Sequence, residues 1–297
     1  MRYPSEPMPD SHTLVHISDT HFGTQQTQVV EALVARINQI HPDVLIWSGD
    51  VTQRARAGQF RSARRFLSRL QYKHLLCVPG NHDVPLYNIL MRFTAPFRNY
   101  RRHMKLALQS DLELGSAFII GLNTCNPWHY KNGRITQQQI DSVERKLLAQ
   151  PKSKLKMLVC HHPFDVIHDH DQENIVKHAA PALQCWARAG LDLVLGGHIH
   201  HQFSRSLLHR YPDLPRDVHS CQAGTAFSYR VRGGLPNSFM QLTTFANKAD
   251  THIQQWDYIE SQNAFSRTGE FFPCRASTTT RKESTRFDIA IEKQAVR

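Results

Sequence analysis

Short apolar runs alternate with longer amphipathic stretches along most of the chain. Apolar runs a few residues long and rich in valine, isoleucine and leucine are typical of buried strands. The predicted strands of this part are Leu14–Ser18, Val44–Ser48, Leu75–Val78, Ala117–Leu122, Lys156–Cys160 and Leu193–Leu195. Strands that alternate with helices in this way indicate an α/β protein.

The stretches between these runs have helical periodicity. Apolar residues between Val29 and Ile40 recur at intervals of three and four, and the same spacing joins Phe60 to Leu70 in a segment rich in arginine. Thr136, followed three positions later by Gln139, has the form of a capping box. It therefore predicts a helix over Gln137–Leu148.

Three later apolar runs have no helical pattern between them. They are Val218–Gln222, Ser238–Thr244 and Thr251–Tyr258, and they predict antiparallel strands that are joined by turns. Because helix-linked and turn-linked strands both occur, we expect packed mixed sheets flanked by helices.

Composition narrows the class of protein. The chain has 297 residues, of which 40% are hydrophobic and 21% charged, as in a soluble globular protein. No stretch approaches the roughly 18 apolar residues of a membrane span. The first residues lack the apolar centre of a secretory signal. The six cysteines form no C-x-x-C pair, which favours reduced thiols. These features predict a cytoplasmic protein without a membrane partner.

The formal net charge of +11 favours an anionic partner. Part of the excess comes from arginines in the helical segment near Phe60, and another part from the end of the chain. Solvated surface charge is the alternative explanation, and it is preferred for the end of the chain. We predict a main domain over residues 13–260, a flexible N-terminus over 1–12 and a basic, mobile tail over 261–297.

Five polar clusters follow predicted strands. They are Asp19-Thr20-His21, Gly49-Asp50, Gly80-Asn81-His82-Asp83, His161-His162-Pro163 and Gly197-His198-Ile199-His200. In an open α/β sheet the crevice beyond the carboxyl ends of the strands is the usual ligand site. We therefore expect the five clusters to converge on one pocket.

The residue types in these clusters indicate metal ions. Aspartate, asparagine and histidine supply the oxygen and nitrogen ligands that suit Mn, Fe or Zn. A carboxylate such as Asp50 can bridge two ions. Taking one or two ligands from each cluster gives seven, which is more than one tetrahedral zinc needs. Seven ligands suit a pair of divalent metals, which can bind both the nucleophilic and the leaving oxygen in phosphoryl transfer.

The ordered series D-x-H, G-D, G-N-H-D, H-H-P and G-H-x-H resembles the calcineurin-like metallophosphoesterases. It extends from Asp19 to His200. The stretches GDVTQRARAGQF, VPGNHDVPLYN and LVLGGHIHH are similar to a bacterial branch related to the class III cyclic nucleotide phosphodiesterases. The resemblance implies a four-layer α/β/β/α sandwich with two mixed sheets between helices.

The resemblance also implies a role for individual residues. One metal would be held by Asp19, His21 and His200, the other by Asn81, His161 and His198, with Asp50 as the bridge. His161 is preferred to His162 because the family pattern has a histidine two residues before the proline. His82 would help to protonate the leaving group, and a metal-bridging hydroxide would be the nucleophile.

One position departs from the pattern of the protein Ser/Thr phosphatases in this superfamily. They read G-D-Y-V-D-R-G, where the second aspartate orients the catalytic histidine, whereas this chain reads GDVTQRA with Gln53 at that place. The departure disfavours a protein phosphatase. It also leaves the partner of His82 open, with Asp83 as one alternative.

The sequence thus predicts a phosphodiesterase of small nucleotides, such as 3′,5′-cyclic nucleotides. The alternatives are a nuclease, with nucleic acid as the partner, and a non-catalytic scaffold that retains the fold. Candidate substrate contacts are His129, Arg134, Arg230 and Arg232. Trp128 is a further candidate for base stacking, or a half-buried structural residue. The oligomeric state is not predicted.

Overall fold

Two six-stranded mixed sheets form the centre of the molecule in the computed structural model, which describes residues 11–274. The strands are β1 (His12–Ile17), β2 (Val44–Trp47), β3 (His74–Cys77), β4 (Ser110–Glu113), β5 (Ala117–Gly121), β6 (Leu155–Val159), β7 (Leu193–Gly196), β8 (Phe203–Ser206), β9 (His219–Gln222), β10 (Ser238–Thr244), β11 (His252–Ile259) and β12 (Ala264–Phe271). The helices are α1 (Thr27–Ile40), α2 (Ala57–Leu67), α3 (Ile89–Thr94), α4 (Arg98–Met104), α5 (Gln137–Leu148) and α6 (Ala179–Arg188).

Each sheet has a parallel part and antiparallel strands beside it. The first has the order β12-β11-β10-β1-β2-β3, and its members β1, β2 and β3 are parallel. The second has the order β4-β5-β6-β7-β9-β8, and only its edge strands β4 and β8 are antiparallel to their neighbours. The prediction of two mixed sheets is confirmed.

The alternation of side chains along the strands explains the layers. On β2, Leu45 and Trp47 pack against α1 and α2, whereas Val44 and Ile46 face the second sheet. Successive residues of a strand point to opposite faces, so both faces of this strand are apolar. Helices α5 and α6 cover the outer face of the second sheet. The order helix, sheet, sheet, helix confirms the predicted four-layer sandwich.

Strand β9 corrects one prediction. Val218–Gln222 was expected to be antiparallel to its neighbours, but β9 pairs in parallel with β7 and is antiparallel only to β8. After β7 the chain first forms β8 at the sheet edge and then returns, so that β9 lies between β7 and β8. Strand β9 is therefore parallel to β7, although no helix lies between β8 and β9.

The first sheet continues beyond residue 260, the predicted end of the main domain. Strand β12 pairs with β11 from Ala264 to Phe271. The remainder of the predicted tail, residues 275–297, and residues 1–10 of the predicted N-terminus lie outside the described residues. All six cysteines are unpaired thiols. Within residues 11–274, every helix is too short or too polar to cross a membrane.

Candidate metal centre

The loops that follow five parallel strands bring the predicted ligands together. Asp19 and His21 follow β1, Asp50 follows β2 and Asn81 follows β3. From the second sheet, His161 follows β6, and the two histidines of the G-H-x-H motif follow β7. The site therefore lies where the carboxyl ends of both sheets meet, as expected for an α/β protein.

The first group of donors consists of Asp19, His21 and His200. The Nε2 atoms of His21 and His200 are 2.9 Å apart. Asp19 Oδ1 lies 3.3 Å from His200 Nε2 and 3.7 Å from His21 Nε2. The three side chains converge closely enough to hold one metal ion.

The second group consists of Asn81, His161 and His198. Asn81 Oδ1 lies 3.0 Å from both His161 Nε2 and His198 Nδ1. Asp50 lies between the two groups, because its Oδ2 is 3.4 Å from His161 Nε2 and 3.6 Å from His21 Nε2. This carboxylate therefore occupies the place of a bridge.

Backbone carbonyls determine how two of the histidines face the site. His161 Nδ1 donates to the Ser48 carbonyl at 2.9 Å, and His200 Nδ1 donates to the Arg230 carbonyl at 2.5 Å. Each bond leaves the Nε2 lone pair directed at the cluster. The amide oxygen of Asn81 then faces the lone pair of His161, although both are acceptors. A cation held by both groups would account for this contact, and the nitrogen and oxygen donors fit Mn, Fe or Zn.

The two carboxylates of the cluster are buried among histidines. Burial alone would raise the pKa values of Asp19 and Asp50, but the neighbouring imidazoles hold both below their usual range. Burial alone would lower the pKa of His161, but chiefly the Asp50 carboxylate raises it to about 9. Burial lowers the pKa of His21 to about 4. Two buried carboxylates with several imidazoles around them suit a site for cations.

The backbone at the ligands is strained. Asp19, His21, Asp50, His198 and His200 all have positive φ angles, between 44° and 76°. This region is uncommon for residues other than glycine, and such strain concentrates at functional sites.

Two glycines let the ligand loops approach each other closely. A Cβ atom on Gly80 would lie 2.2 Å from Asp50 Oδ1, and one on Gly197 would lie 2.3 Å from Asp19 Oδ2. The motifs G-N-H-D and G-H-x-H therefore need their glycines for space as well as their polar residues for chemistry.

His82 lies at the mouth of the cluster, and its partner is a backbone group. Its Nδ1 is 3.0 Å from the Gln53 carbonyl and 2.9 Å from the Tyr130 hydroxyl. Its Nε2 lies on the side of the predicted metal ligands, 3.4 Å from Arg230 Nη1. The Gln53 carbonyl thus orients His82 at the position where the protein phosphatases have an aspartate.

Asp83 does not serve as the partner of His82. It is buried, and its Oδ2 accepts from the backbone N–H groups of Val51 and Gly80 at 3.0 Å each. Its Oδ1 accepts from the backbone N–H and the hydroxyl of Thr52 at 2.8 and 2.9 Å. Asp83 therefore ties the loop of Asp50 to the loop of Asn81.

The structure separates the four candidate substrate contacts. Arg230 and Arg232 line a cavity of about 710 Å³ together with four of the predicted metal ligands. Arg134 lines a different cavity of about 560 Å³ beside α5. His129 is exposed and contacts Asn126 instead.

Several other residues of the main cavity have no motif in the sequence. Arg54, Tyr130, Lys131 and Tyr229 line it. Trp128, the candidate for base stacking, is 75% exposed and packs against Phe93 outside this lining. Tyr130 and Tyr229 lie in irregular loops, where neither spacing nor periodicity indicates which side chains face the site.

A four-layer sandwich with paired donor groups at the sheet edge defines a metal-dependent phosphoesterase fold. Residues 12–202 match the family described as calcineurin-like phosphoesterase. The chain belongs to this family, and the predicted membership is confirmed. Calcineurin-like phosphoesterases use a dinuclear divalent metal centre.

Two bacterial relatives carry names that concern cyclic nucleotides. A probable cyclic nucleotide phosphodiesterase of Vesicomyosocius okutanii is 26% identical over 160 residues, which are 52% of this chain and 62% of the relative. A 3′,5′-cyclic adenosine monophosphate phosphodiesterase of Vibrio vulnificus is 25% identical over 205 residues, covering 64% of this chain and 70% of the relative.

A solved structure supports the fold. A purple acid phosphatase from yellow lupin (Lupinus luteus) seeds superposes with a TM-score of 0.67 at 11% identity, over 95% of this chain and 58% of that chain. At this identity the likeness concerns the architecture alone.

Proposed function

We propose that this protein is a metal-dependent phosphodiesterase that acts on small nucleotides such as 3′,5′-cyclic nucleotides. The observation that carries the proposal is one juxtaposition. His82 Nε2 and Arg230 Nη1 lie 3.4 Å apart in a cavity that is also lined by Asp50, Asn81 and His198. An acid–base group and a cation thus stand beside two groups of metal donors.

The seven proposed ligands would hold two divalent cations. They are Asp19, His21, Asp50, Asn81, His161, His198 and His200. When bound, two such cations supply Lewis-acid catalysis to phosphoryl transfer. These nitrogen and oxygen donors suit Mn, Fe or Zn.

The other side chains act on the substrate directly. The Gln53 carbonyl accepts the proton of His82 Nδ1, so that Nε2 faces the cavity. When the ring is the doubly protonated imidazolium, its Nε2–H can donate a proton to the leaving alkoxide oxygen. Arg230 would hold the non-bridging oxygens of the phosphate, because a guanidinium can donate two parallel hydrogen bonds to them. Together these residues bind the ester and assist departure of the alcohol.

Cavity size and lining favour a small substrate. The volume of about 710 Å³ lies within the roughly 300–1,000 Å³ of small-molecule sites. Tyr130 and Tyr229 line this cavity and offer aromatic surface to a nucleobase. The names of the two bacterial relatives agree with a cyclic nucleotide as the substrate.

A nuclease is the second candidate. The net charge of +11 and the positions of Arg54 and Lys131 at the cavity favour it, because a polymeric substrate presents several phosphates.

Turnover on a panel of substrates tests the proposal. The panel contains bis-p-nitrophenyl phosphate, 3′,5′-cyclic nucleotides, linear dinucleotides and single-stranded DNA, each with Mn²⁺, Zn²⁺ or a chelator. We expect metal-dependent turnover that is highest on a cyclic nucleotide and lost with the chelator. Turnover that survives complete metal removal would contradict the proposal, and preference for DNA would favour the nuclease.

A further inference from the structure

Gln53 forms hydrogen bonds to other residues through both its main chain and its side chain. Its backbone N–H donates to the Phe22 carbonyl at 3.1 Å, and its own carbonyl accepts from His82. Its side-chain Oε1 accepts from Arg230 Nη1 at 2.9 Å. The orientation of His82 therefore depends on the main chain of Gln53, whereas the side chain is committed to Arg230.

Arg230, unlike Arg232 in the same cavity, has no acidic partner among residues 11–274. Arg232 forms an ion pair with Asp171, and Arg205 forms one with Asp165. Within residues 11–274, no carboxylate lies within 4.0 Å of the Arg230 guanidinium, and neither its Nε nor its Nη2 donates a hydrogen bond. The guanidinium thus keeps its charge and two donor nitrogens.

A neutral acceptor and a charged acceptor would affect this guanidinium differently. The amide of Gln53 fixes the position of Nη1 and leaves the positive charge uncompensated. A carboxylate at the same place would accept the same bond but also form an ion pair. That ion pair would compete with the phosphate of a substrate for Arg230.

We propose that Gln53 is a positioning residue for substrate binding, which holds Arg230 beside the metal ligands through a neutral hydrogen bond and thereby keeps its charge available for a phosphate. The inference rests on the proposed function. It gives Gln53 a role that an aspartate or glutamate could not fill, and the role concerns binding rather than proton transfer.

The substitution Gln53→Glu in the metal-loaded enzyme tests this role, because glutamate has nearly the same shape. With bis-p-nitrophenyl phosphate we expect KM to rise about tenfold, because Arg230 would no longer be free to bind the phosphate. This factor is at the lower end of the range for losing a charge-assisted hydrogen bond. We expect kcat to change little, because the carbonyl that orients His82 remains. The rise in KM should be larger for p-nitrophenyl phosphate, a dianion, than for the diester, a monoanion.

Three further variants separate the effect of position from the effect of charge. Gln53→Ala removes the hydrogen bond without adding charge, so KM should rise by a similar factor for both substrates. In the double variant with Arg230→Ala, the effect of Gln53→Ala should disappear, since there is no guanidinium left to position. Gln138→Glu, an exposed change in the cavity beside α5, adds the same charge elsewhere and should leave KM unchanged.

An unchanged KM in Gln53→Glu, a loss confined to kcat, or additive effects of the two alanine variants would overturn the inference. Failure of the proposed function is recognised separately, as absence of turnover by the wild type on every substrate. In that event, calorimetric titration with inorganic phosphate decides the inference. Weaker binding to Gln53→Glu than to the wild type supports it, and equal binding overturns it.

Discussion

At the scale of single residues, the site depends on buried hydrogen bonds as much as on the proposed ligands. Asp50 Oδ1 accepts from the His82 backbone N–H at 2.7 Å, and Asp19 Oδ2 accepts from that of His198 at 2.9 Å. Each carboxylate thus has one oxygen fixed by the backbone and the other directed at the cluster. Backbone N–H groups also donate to the Asp83 carboxylate, which joins the loop of Asp50 to the loop of Asn81.

Asp83→Asn should destabilise the protein. The amide nitrogen of asparagine would face either two backbone N–H groups or the N–H and hydroxyl of Thr52. Each orphaned buried donor costs about 1–3 kcal/mol. We expect a lower free energy of unfolding in urea and weaker metal binding. Glu31→Gln, which breaks an exposed ion pair with Arg69, is the control and should cost less than about 1 kcal/mol. Equal stability of both variants would contradict the role of Asp83.

His82→Ala should retain metal but slow turnover. We expect a decrease in kcat of about 10²–10⁴-fold, the usual contribution of an acid–base group. The decrease should shrink for p-nitrophenolate, a good leaving group that needs little protonation. Measurement of kcat across a series of leaving groups checks this expectation. Equal losses on good and poor leaving groups would show that His82 positions the substrate instead.

The motifs predicted which residues converge, but not every contact that they make. Each of the seven proposed ligands directly follows an apolar strand, so the sheet itself brings them together. Tyr130 and the double contact of Gln53 could not be predicted, because loop conformation and main-chain hydrogen bonds leave no pattern in the sequence. The assignment of the seven proposed ligands to a metal centre stays a prediction.

At the scale of elements, hydrophobicity decided what could be predicted. Strands such as β2 and β6 are buried on both faces, and their apolar runs predict them within one or two residues. Strand β4 (SDLE) and strand β8 (FSRS) lie at sheet edges and carry polar residues. Neither strand has an apolar run, so the sequence did not predict them. The pairing of β9 could not be predicted either, because it depends on contacts between distant parts of the chain.

The capping box of α5 can be tested separately from the site. Gln139 N–H donates to Thr136 Oγ1 at 3.3 Å, and Gln139 Oε1 accepts from the Thr136 backbone N–H at 3.0 Å. Thr136→Ala should therefore cost about 0.5–2 kcal/mol of unfolding free energy. Thr136→Ser keeps the hydroxyl and should cost less. Thermal unfolding measures both variants, and an unchanged midpoint in Thr136→Ala would contradict a stabilising cap.

At the scale of the whole molecule, charge bears on the choice between small and polymeric substrates. Proteins that follow a nucleic-acid backbone release counterions, so their affinity falls steeply with salt. We expect weak DNA binding that weakens further when residues 275–297 are removed, while turnover of cyclic nucleotides stays unchanged. Salt titration of DNA binding by the full and shortened chains measures this. Submicromolar binding at physiological salt, lost together with activity in the shortened chain, would favour a nuclease.

Metal content and turnover, measured together on the wild type and on Asp50→Ala, test the proposed dinuclear centre most directly. We expect about two divalent ions per wild-type chain, as in other two-metal sites. Asp50→Ala should lose metal and turnover, because removal of the bridge leaves two cations repelling each other. Asp111→Ala, which removes a partly exposed carboxylate paired with Lys146, should retain both. Wild-type turnover with unchanged metal content in Asp50→Ala would contradict the two-metal assignment.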